Sequence, residues 1–291
     1  MNSDPRALLE KARKAYQGAT SGFSFFGGRT EKYENAADLY TQAANAFLVQ
    51  DQYKEAGQAF EKAASIQEKD LKEPNDAANS LYESYKAYQT TDPEDAVRVL
   101  SAAIEHWVLG QGGLRRAAPR QEDLARVYEE KLADTDKAIE AYEKAAKWYG
   151  LDSVNLANKN YLKAADLAAF KGDYIKAIDY YERVARSTKY LVKECLLKAG
   201  ICHLATQDMV TANRAMETYR EIGDGDTYPF TSTREHQLLV DLIKTIEDRD
   251  QEAFSDKLFQ YDQFSKLDKW KTTILLRVKN GIEGPEEDDF A

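Results

Sequence analysis

Small and large apolar residues return along this chain at offsets of 4 and 7, and a new copy starts about every twenty residues in its clearest stretches. Offsets of 4 and 7 place these groups on one face of an α-helix. The clearest copies are Ala36, Tyr40, Ala43 and Ala44; Ala56, Phe60, Ala63 and Ala64; Ala138, Tyr142, Ala145 and Ala146; and Ala157, Tyr161, Ala164 and Ala165. Each copy predicts one amphipathic helix, with alanines that let a neighbouring helix approach and a ring that fills the space beside them.

Looser copies extend this pattern over most of the chain. They are Ala78, Tyr82 and Tyr85; Ala96, Leu100 and Ala103; Ala177, Tyr181, Val184 and Ala185; and Ala212, Met216 and Tyr219. A helix of this kind cannot bury its apolar face alone, so stable repeats must stack. The pattern predicts an all-α fold: a tetratricopeptide-like superhelical solenoid of antiparallel helix hairpins, closed by a C-terminal helical bundle.

Breaks in the pattern predict the domain organisation. A first helix is expected over residues 4–17, followed by a Gly- and Ser-rich loop at 20–30. The segment 223–233, GDGDTYPFTST, is the longest internal irregular stretch, and beyond it larger residues replace the alanines. We therefore expect a solenoid over 1–222, a bundle over 223–283, and a mobile acidic tail over 284–291.

Two prolines indicate where helices begin. Asp92 and Pro93 fit an N-cap followed by a proline in the first helical position. Pro119 cannot donate a backbone hydrogen bond, and inside a helix it costs roughly 3 kcal/mol. The sequence therefore predicts that the helix around it starts at or after residue 118.

Charge and composition exclude several classes of function. The 291 residues carry a formal net charge of −10, which argues against general nucleic-acid binding. No run of 18 apolar residues is present to span a membrane. The N-terminus, MNSDPRALLEKARKAY, is a charged amphipathic helix rather than a signal peptide. We expect a cytoplasmic protein.

Residues suited to catalysis or metal binding are scattered. His106, His203 and His236 are isolated, and neither HExxH nor a phosphate-binding GxxxxGK[ST] motif occurs. Cys195 and Cys202 lie seven positions apart on one predicted helix, about 10 Å along its axis, too far for a disulfide. We expect two buried free thiols, no enzymatic activity, no cofactor and no metal site.

Phe23, Phe25 and Phe26 form an aromatic cluster flanked by Gly and Ser. One interpretation is that the rings pack against the first repeat helices. The other is that they insert into the interface of a bilayer, where aromatic side chains partition well. Binding by one such loop is weak, so it would act together with other contacts.

Basic residues cluster despite the acidic average. Lys159 and Lys163 share one stripe of a predicted helix, Arg116 lies in an arginine-rich stretch, and Lys193 and Lys198 follow on a later helix. They are either ordinary solvated side chains or a positive concave band that attracts an acidic partner. Acidic residues cluster nearer the C-terminus, where they would form a surface of negative charge.

Several segments together resemble the soluble NSF-attachment protein family, in particular its alpha type. The resemblance covers nearly the whole chain. It rests on SGFSFFGG (21–28), KYENAADLYTQAANAF (32–47), DTDKAIEAYEKAAKWY (134–149), LANKNYLKAADLAA (156–169), FQYDQFSKLDKWKTTILLRVKNGI (259–282) and the EEDD run of the tail. The C-terminal stretch and FSFFGG are specific, whereas the alanine repeats alone would fit any tetratricopeptide-like protein.

This resemblance implies an adaptor that grips the four-helix SNARE bundle and recruits and stimulates the hexameric NSF-type AAA ATPase, which dismantles that bundle. The adaptor would be a monomer when free, cytoplasmic and peripherally associated with membranes. The implied bundle-binding residues are Lys159, Lys163, Arg116, Lys193 and Lys198. The implied membrane contacts are Phe25 and Phe26, beside Phe23. The implied ATPase contacts are Asp208, Glu247, Asp248, Asp288, Asp289 and Phe290.

Two departures from the family pattern stand out. Around residues 186–194 the chain is about six residues shorter than the resemblance predicts, close to Lys193. Phe290 occupies the penultimate position, where the family carries Leu.

Other functions for a helical-repeat chain remain open from the sequence. A generic tetratricopeptide-type peptide-binding co-chaperone would capture acidic peptide tails in a narrow groove and would not need Phe25 or Phe26. A scaffold subunit of a larger helical-repeat assembly would co-purify with its partners and would not stimulate an ATPase.

Overall fold

The structure is a computed structural model that describes residues 4–21, 28–110, 113–222 and 229–282. Within these ranges all regular secondary structure is helical, so the predicted all-α class is confirmed. The chain folds into two compact units, Met1–Asp152 and Ser153–Ala291. Among the described helices, none is both long and apolar enough to cross a membrane.

The first unit contains seven described helices, each packed against the next along the chain. They are α1 (Pro5–Ser21), α2 (Gly28–Leu48), α3 (Tyr53–Ile66), α4 (Pro74–Tyr88), α5 (Pro93–Leu109), α6 (Gly113–Glu130) and α7 (Thr135–Tyr149). A π-helical turn over Gln67–Leu71 continues α3. The predicted loop bounds of 20 and 30 are wrong at both ends, because α1 continues to Ser21 and α2 already begins at Gly28.

The predicted Ala and aromatic positions form the core of this unit. Ala36, Ala43, Ala56 and Ala63 are fully buried, and Phe60 is almost fully buried. These small residues allow close approach between neighbouring helices, and the rings fill the remaining space. The confirmed pattern is that of tetratricopeptide-like helix hairpins.

Pro119 lies inside α6, and the prediction that this helix starts at or after residue 118 is wrong. The helix begins at Gly113, six residues earlier than the proline. Ala117 and Ala118, just before the proline, are buried, so their packing favours the helical path. Proline removes only one backbone donor, and this burial offsets that loss.

Pro93 begins α5, as expected. Asp92 precedes it, but the Asp92 carboxylate makes no capping hydrogen bond to the helix. It instead accepts a hydrogen bond of 2.8 Å from Lys54 Nζ on α3. The residue therefore links two neighbouring hairpins as well as marking the helix start.

The second unit also contains seven described helices. They are α8 (Val154–Lys171), α9 (Tyr174–Ser187), α10 (Val192–Ala205), α11 (Met209–Thr218), α12 (Arg234–Glu247), α13 (Gln251–Asp262) and α14 (Lys269–Asn280), with a 3₁₀ turn over Phe230–Ser232. Capping explains many of their starts: the side chains of Ser153, Asp173, Asp208, Thr233, Asp250 and Asp268 each accept a hydrogen bond from a backbone N–H in the first turn.

Helix α10 lies at the centre of the second unit, in contact with α9, α11, α12 and α14. Gly200 makes one of these contacts possible, because a Cβ atom there would lie 2.3 Å from Cδ1 of Leu239 on α12. Cys195 and Cys202 lie on this helix as buried free thiols, as expected. Burial raises the pKa of the Cys195 thiol to about 12, so it stays protonated near neutral pH.

The C-terminal end of α8 is capped by a residue far away in the chain. Arg277 on α14 donates hydrogen bonds to the backbone carbonyls of Ala169, at 3.2 Å, and Phe170, at 2.9 Å. The last carbonyls of a helix lack the usual donor four residues on, and Arg277 adds to the Gly172 N–H, which already donates to the Ala169 carbonyl at 3.0 Å. Helix α14 is thereby fixed to α8, while the predicted domain boundary between residues 222 and 223 stays a prediction.

Candidate partner-binding surfaces

The basic surface of the second unit is built on α8. Ala157, Tyr161 and Ala164 are buried and hold one face of this helix in the core. Lys159 and Lys163 are exposed on another face, one turn apart. The predicted pairing of these two lysines on one stripe is therefore present.

A cleft of about 450 Å³ runs beside the two lysines. Leu162 of α8 and Thr188 and Leu191 of the connection between α9 and α10 contribute to its lining, together with the two lysines. Ser187 donates a hydrogen bond of 2.8 Å from Oγ to Oδ1 of Asn158 on α8, which is buried. This contact holds the α9–α10 connection against α8 and so shapes the cleft.

Lys193 is exposed in the first turn of α10, two residues after Leu191 of the cleft. Lys198, one turn and a half further along α10, is in a different environment. Its side chain is 13% exposed, and its Nζ atom lies 2.8 Å from Oδ1 of Asp166 on α8. Of the two α10 lysines, only Lys193 presents its side chain to solvent.

Asp166 is the carboxylate at the centre of this contact. The Tyr181 hydroxyl also donates a hydrogen bond to its Oδ1 atom. The Lys198 Nζ atom lies 4.7 Å from the centroid of the Trp270 ring, which meets the Tyr181 ring edge-on. Helices α8, α9, α10 and α14 all contribute to this cluster.

Arg116 belongs to the first unit and is exposed on α6. Its guanidinium carbon lies 5.7 Å from the centroid of the Trp107 ring, and its Nη2 atom lies 3.4 Å from Oδ1 of Asn79. Nearby on the same helix, Arg120 stacks 4.1 Å from the centroid of the Tyr82 ring. Aromatic faces of α4 and α5 thus support the arginines of α6.

Asp123 is an acidic residue among these arginines that the sequence pattern did not single out. It forms ion pairs with both Arg120, at 2.8 Å, and Arg126. Its side chain is only 11% exposed. The charge of these two arginines is therefore partly compensated, whereas Arg116 contacts a neutral amide and a ring.

The three described acidic residues implied as ATPase contacts lie at one end of the second unit. Glu247 and Asp248 lie at the turn from α12 to α13, and both are exposed. Asp208 lies at the turn from α10 to α11 and caps α11, accepting hydrogen bonds from Thr211 Oγ1, at 2.6 Å, and Thr211 N, at 3.0 Å. These bonds hold the pKa of the Asp208 carboxyl below its usual range.

Three polar contacts join the elements of this acidic end. Asn213 Nδ2 donates to Oε1 of Glu247 at 2.8 Å, and Gln251 Nε2 donates to the carbonyl of Ile282 at 2.7 Å. Gln207 Nε2 lies 3.5 Å from the carbonyl of Gly281. The α10–α11 turn, the α12–α13 turn and the end of α14 are therefore neighbours.

The remaining predicted contacts lie outside the described residues. They are Phe23, Phe25, Phe26, Asp288, Asp289 and Phe290. Within the described ranges, no group of three or more His, Cys, Asp or Glu side chains is arranged to hold a metal ion.

Comparison with known proteins places this architecture in a family. The family model "Soluble NSF attachment protein, SNAP" matches residues 3–283. The chain belongs to the soluble NSF attachment protein family. The predicted resemblance is confirmed, and the match includes both units and all described helices.

Relatives in this family match over nearly their whole length. A probable vesicular-fusion protein sec17 homolog of Neurospora crassa is 47% identical over 290 residues, covering 97% of this chain and 98% of the relative. The alpha-soluble NSF attachment protein of Saccharomyces cerevisiae is 37% identical, covering 98% of this chain and 99% of its own length. The human alpha-soluble NSF attachment protein is 35% identical, covering 98% and 97%.

Proposed function

We propose that this chain is a non-enzymatic adaptor of vesicle fusion that binds assembled SNARE bundles and recruits an NSF-type hexameric AAA ATPase to them. Membership of the soluble NSF attachment protein family and relatives named for vesicular fusion support the general role. The observation that carries the binding surface is the pair Lys159 and Lys163, exposed on one stripe of α8 beside a cleft.

Two cations one helical turn apart suit a partner whose own surface is a row of acidic side chains. A four-helix SNARE bundle with an acidic surface would supply such rows. Contacts of this kind attract the partner over a distance and tolerate changes in side-chain register. In this proposal Lys193 of the second unit and Arg116 of the first unit also contact the bundle and add further positive charge.

The acidic end formed by Asp208, Glu247 and Asp248 is the proposed surface for the ATPase. The end of α14 neighbours this surface, and in this proposal Asp288, Asp289 and Phe290 of the tail would bind the ATPase together with it. An acidic surface would bind a basic domain of the ATPase. Phe290 would act as the large apolar residue of the tail.

The segment that carries Phe23, Phe25 and Phe26 is the proposed membrane contact. Phe23, Phe25 and Phe26 would partition into the bilayer interface and hold the adaptor at the membrane that carries the bundle. Weak membrane binding then raises the effective concentration of the adaptor. In this proposal the free protein is a cytoplasmic monomer that becomes peripherally associated with membranes.

The test is ATPase-driven disassembly of a purified soluble SNARE bundle. Wild type is compared with Lys159→Glu/Lys163→Glu and with a matched control, Lys11→Glu/Lys14→Glu, which reverses two exposed lysines on α1 of the other unit. All three proteins are also assayed for bundle binding. We expect the wild type and the control to bind and disassemble the bundle and the α8 variant to lose both activities.

Two results would overturn the proposal. If the wild type neither binds the bundle nor stimulates the ATPase, the adaptor role is wrong. Tight binding of short acidic peptides by the same preparation would then favour the peptide-binding co-chaperone. If the control loses as much binding as the α8 variant, the effect is one of net charge, and the assignment of the surface to α8 is wrong.

A further inference from the structure

A carboxylate lies in the cationic cleft of α8. Asp166 is three residues after Lys163 and seven after Lys159, so all three side chains share one side of the helix. Asp166 also lines the same cleft. Among the described residues that line it, Asp166 is the one with an acidic side chain. Left alone, it would repel an acidic partner that approaches the two lysines.

Lys198 on α10 compensates the negative charge of this carboxylate. Its ammonium lies 2.8 Å from Asp166 Oδ1, and its side chain is 13% exposed, against 35% for Asp166. The Trp270 ring covers the ammonium at 4.7 Å, and the Tyr181 ring lies 5.6 Å from it. To reach a partner in the cleft, the ammonium would have to leave both rings and its carboxylate.

We infer that Lys198 is a positioning residue that keeps the cleft cationic by neutralising Asp166 and does not itself contact the partner. This role rests on the proposed function, namely bundle binding through Lys159 and Lys163. The two lysines of α10 therefore have different roles. Lys193 is exposed and can contact a partner, whereas Lys198 acts through Asp166. Trp270 on α14 completes the arrangement by covering the ammonium of the ion pair, and the lower local dielectric strengthens the attraction.

The inference predicts a specific pattern of rescue. Lys198→Met keeps an unbranched side chain of similar length but removes the cation paired with Asp166, so the net charge at the cleft falls by one. Asp166→Asn keeps the shape of the side chain and removes its negative charge, so the net charge at the cleft rises by one. The double variant Lys198→Met/Asp166→Asn restores the net charge of the wild type.

The experiment measures the affinity of the full chain for a soluble SNARE bundle at low and at high salt. An acidic group on the partner about 8 Å from Asp166 gives an expected change of about threefold for each unit of charge. We expect Lys198→Met to bind about threefold more weakly than wild type and Asp166→Asn about threefold more tightly. The double variant should return to wild-type affinity, and all differences should shrink at high salt.

Direct contact by Lys198 gives a different result, because the double variant would then bind as weakly as Lys198→Met. That outcome overturns the inference. A purely structural role would make Lys198→Met and Asp166→Asn both weaker, with lower melting temperatures and no dependence on salt, which also overturns it. If Lys198→Met does not fold, tighter binding by Asp166→Asn alone supports the inference, and unchanged or weaker binding contradicts it.

Lys159→Glu/Lys163→Glu separates this inference from the proposed function. If that variant binds the bundle as well as wild type, the α8 surface is wrong and the inference fails with it. If that variant loses binding while the double variant shows no rescue, the surface stands and only the role of Lys198 is wrong.

Discussion

Asn213 on α11 donates a hydrogen bond of 2.8 Å from Nδ2 to Oε1 of Glu247 at the end of α12. This contact fixes the position of a carboxylate that would otherwise be free to rotate at an exposed helix end. It leaves Asp248, the next residue, exposed at the turn into α13. A surface held in this way presents its negative charge in a defined place.

Reversing the charge at this turn should separate the two halves of the proposed function. Glu247→Lys/Asp248→Lys should bind the SNARE bundle like wild type and recruit the ATPase about tenfold more weakly, equivalent to about 1.4 kcal/mol. The measurement is bundle binding and bundle-dependent ATPase stimulation with the same preparations.

The matched control for that variant is Asp136→Lys/Glu140→Lys, which makes the same change of charge at two exposed positions of α7 in the first unit. It should stimulate the ATPase as wild type does. Equal losses in the two variants would show that overall charge, rather than the acidic end, controls recruitment.

Removing rings from the segment that carries Phe23, Phe25 and Phe26 should affect only reactions on membranes. Phe25→Ser/Phe26→Ser should weaken co-sedimentation with liposomes by at least about tenfold, because burying one aromatic side chain is worth about 1.5–3 kcal/mol. Disassembly of a soluble bundle should be unchanged. Liposome binding at wild-type strength would instead support packing of these rings against the repeat helices.

Substituting alanine for two glycines inside helices should change the stability of the protein in opposite directions. At Gly18 in α1 no atom lies within 4 Å of an added Cβ, so Gly18→Ala should raise the free energy of unfolding by about 0.5–1 kcal/mol. At Gly200 the added Cβ meets two methyl carbons of Leu239, at 2.3 and 2.7 Å, in a fully buried place.

Gly200→Ala should therefore lower the free energy of unfolding by about 1–3 kcal/mol through overpacking. Urea denaturation of both variants provides the measurement. A stability gain in Gly200→Ala equal to that of Gly18→Ala would contradict the close packing of α10 against α12.

Asp268 should make stability depend on pH at the start of α14. Burial alone would raise the pKa of this carboxyl, but hydrogen bonds from the backbone N and the Nζ atom of Lys271, both at 2.9 Å, outweigh burial and lower the pKa below its usual value of 3.8. A lowered folded-state pKa stabilises the protein above the unfolded-state pKa, and this stabilisation is lost as pH falls through the folded-state pKa.

Asp268→Asn retains a side chain that can cap the helix but removes the charge. Above about pH 5 the variant should be less stable than wild type by roughly 0.5 kcal/mol, since the carboxylate is half exposed and screened by solvent. The difference should close as pH falls below the usual value of 3.8. Urea denaturation across this range tests the prediction, and a difference that widens toward low pH would contradict it.

The sequence pattern was sufficient to predict which residues form the helical core. Ala36, Phe60, Ala145 and Ala164 could be assigned to the core because the helical period fixes which side chains share a face, and all four are buried. The start of α6 could not be assigned, because the cost of Pro119 is local while the packing of Ala117 and Ala118 depends on neighbouring helices.

The charged surfaces were predictable only in part. Lys159 and Lys163 could be paired because both lie on α8, and both are exposed. The burial of Lys198 could not be predicted, since its partner Asp166 is 32 residues away and on another helix. Periodicity describes one helix at a time, whereas compensation between helices depends on the tertiary fold.

The cap that Arg277 places on α8 also limits how shortened forms of the protein can be interpreted. A chain cut before residue 269 loses α14 as well as the tail. It therefore exposes the last carbonyls of α8, which carries Lys159 and Lys163, and uncovers Lys198. Failure of such a fragment to capture a bundle would therefore not map the bundle contact to α14. A cut after Ile282 keeps Arg277, Trp270 and the cap intact, and it is the truncation whose phenotype can be assigned to the tail alone.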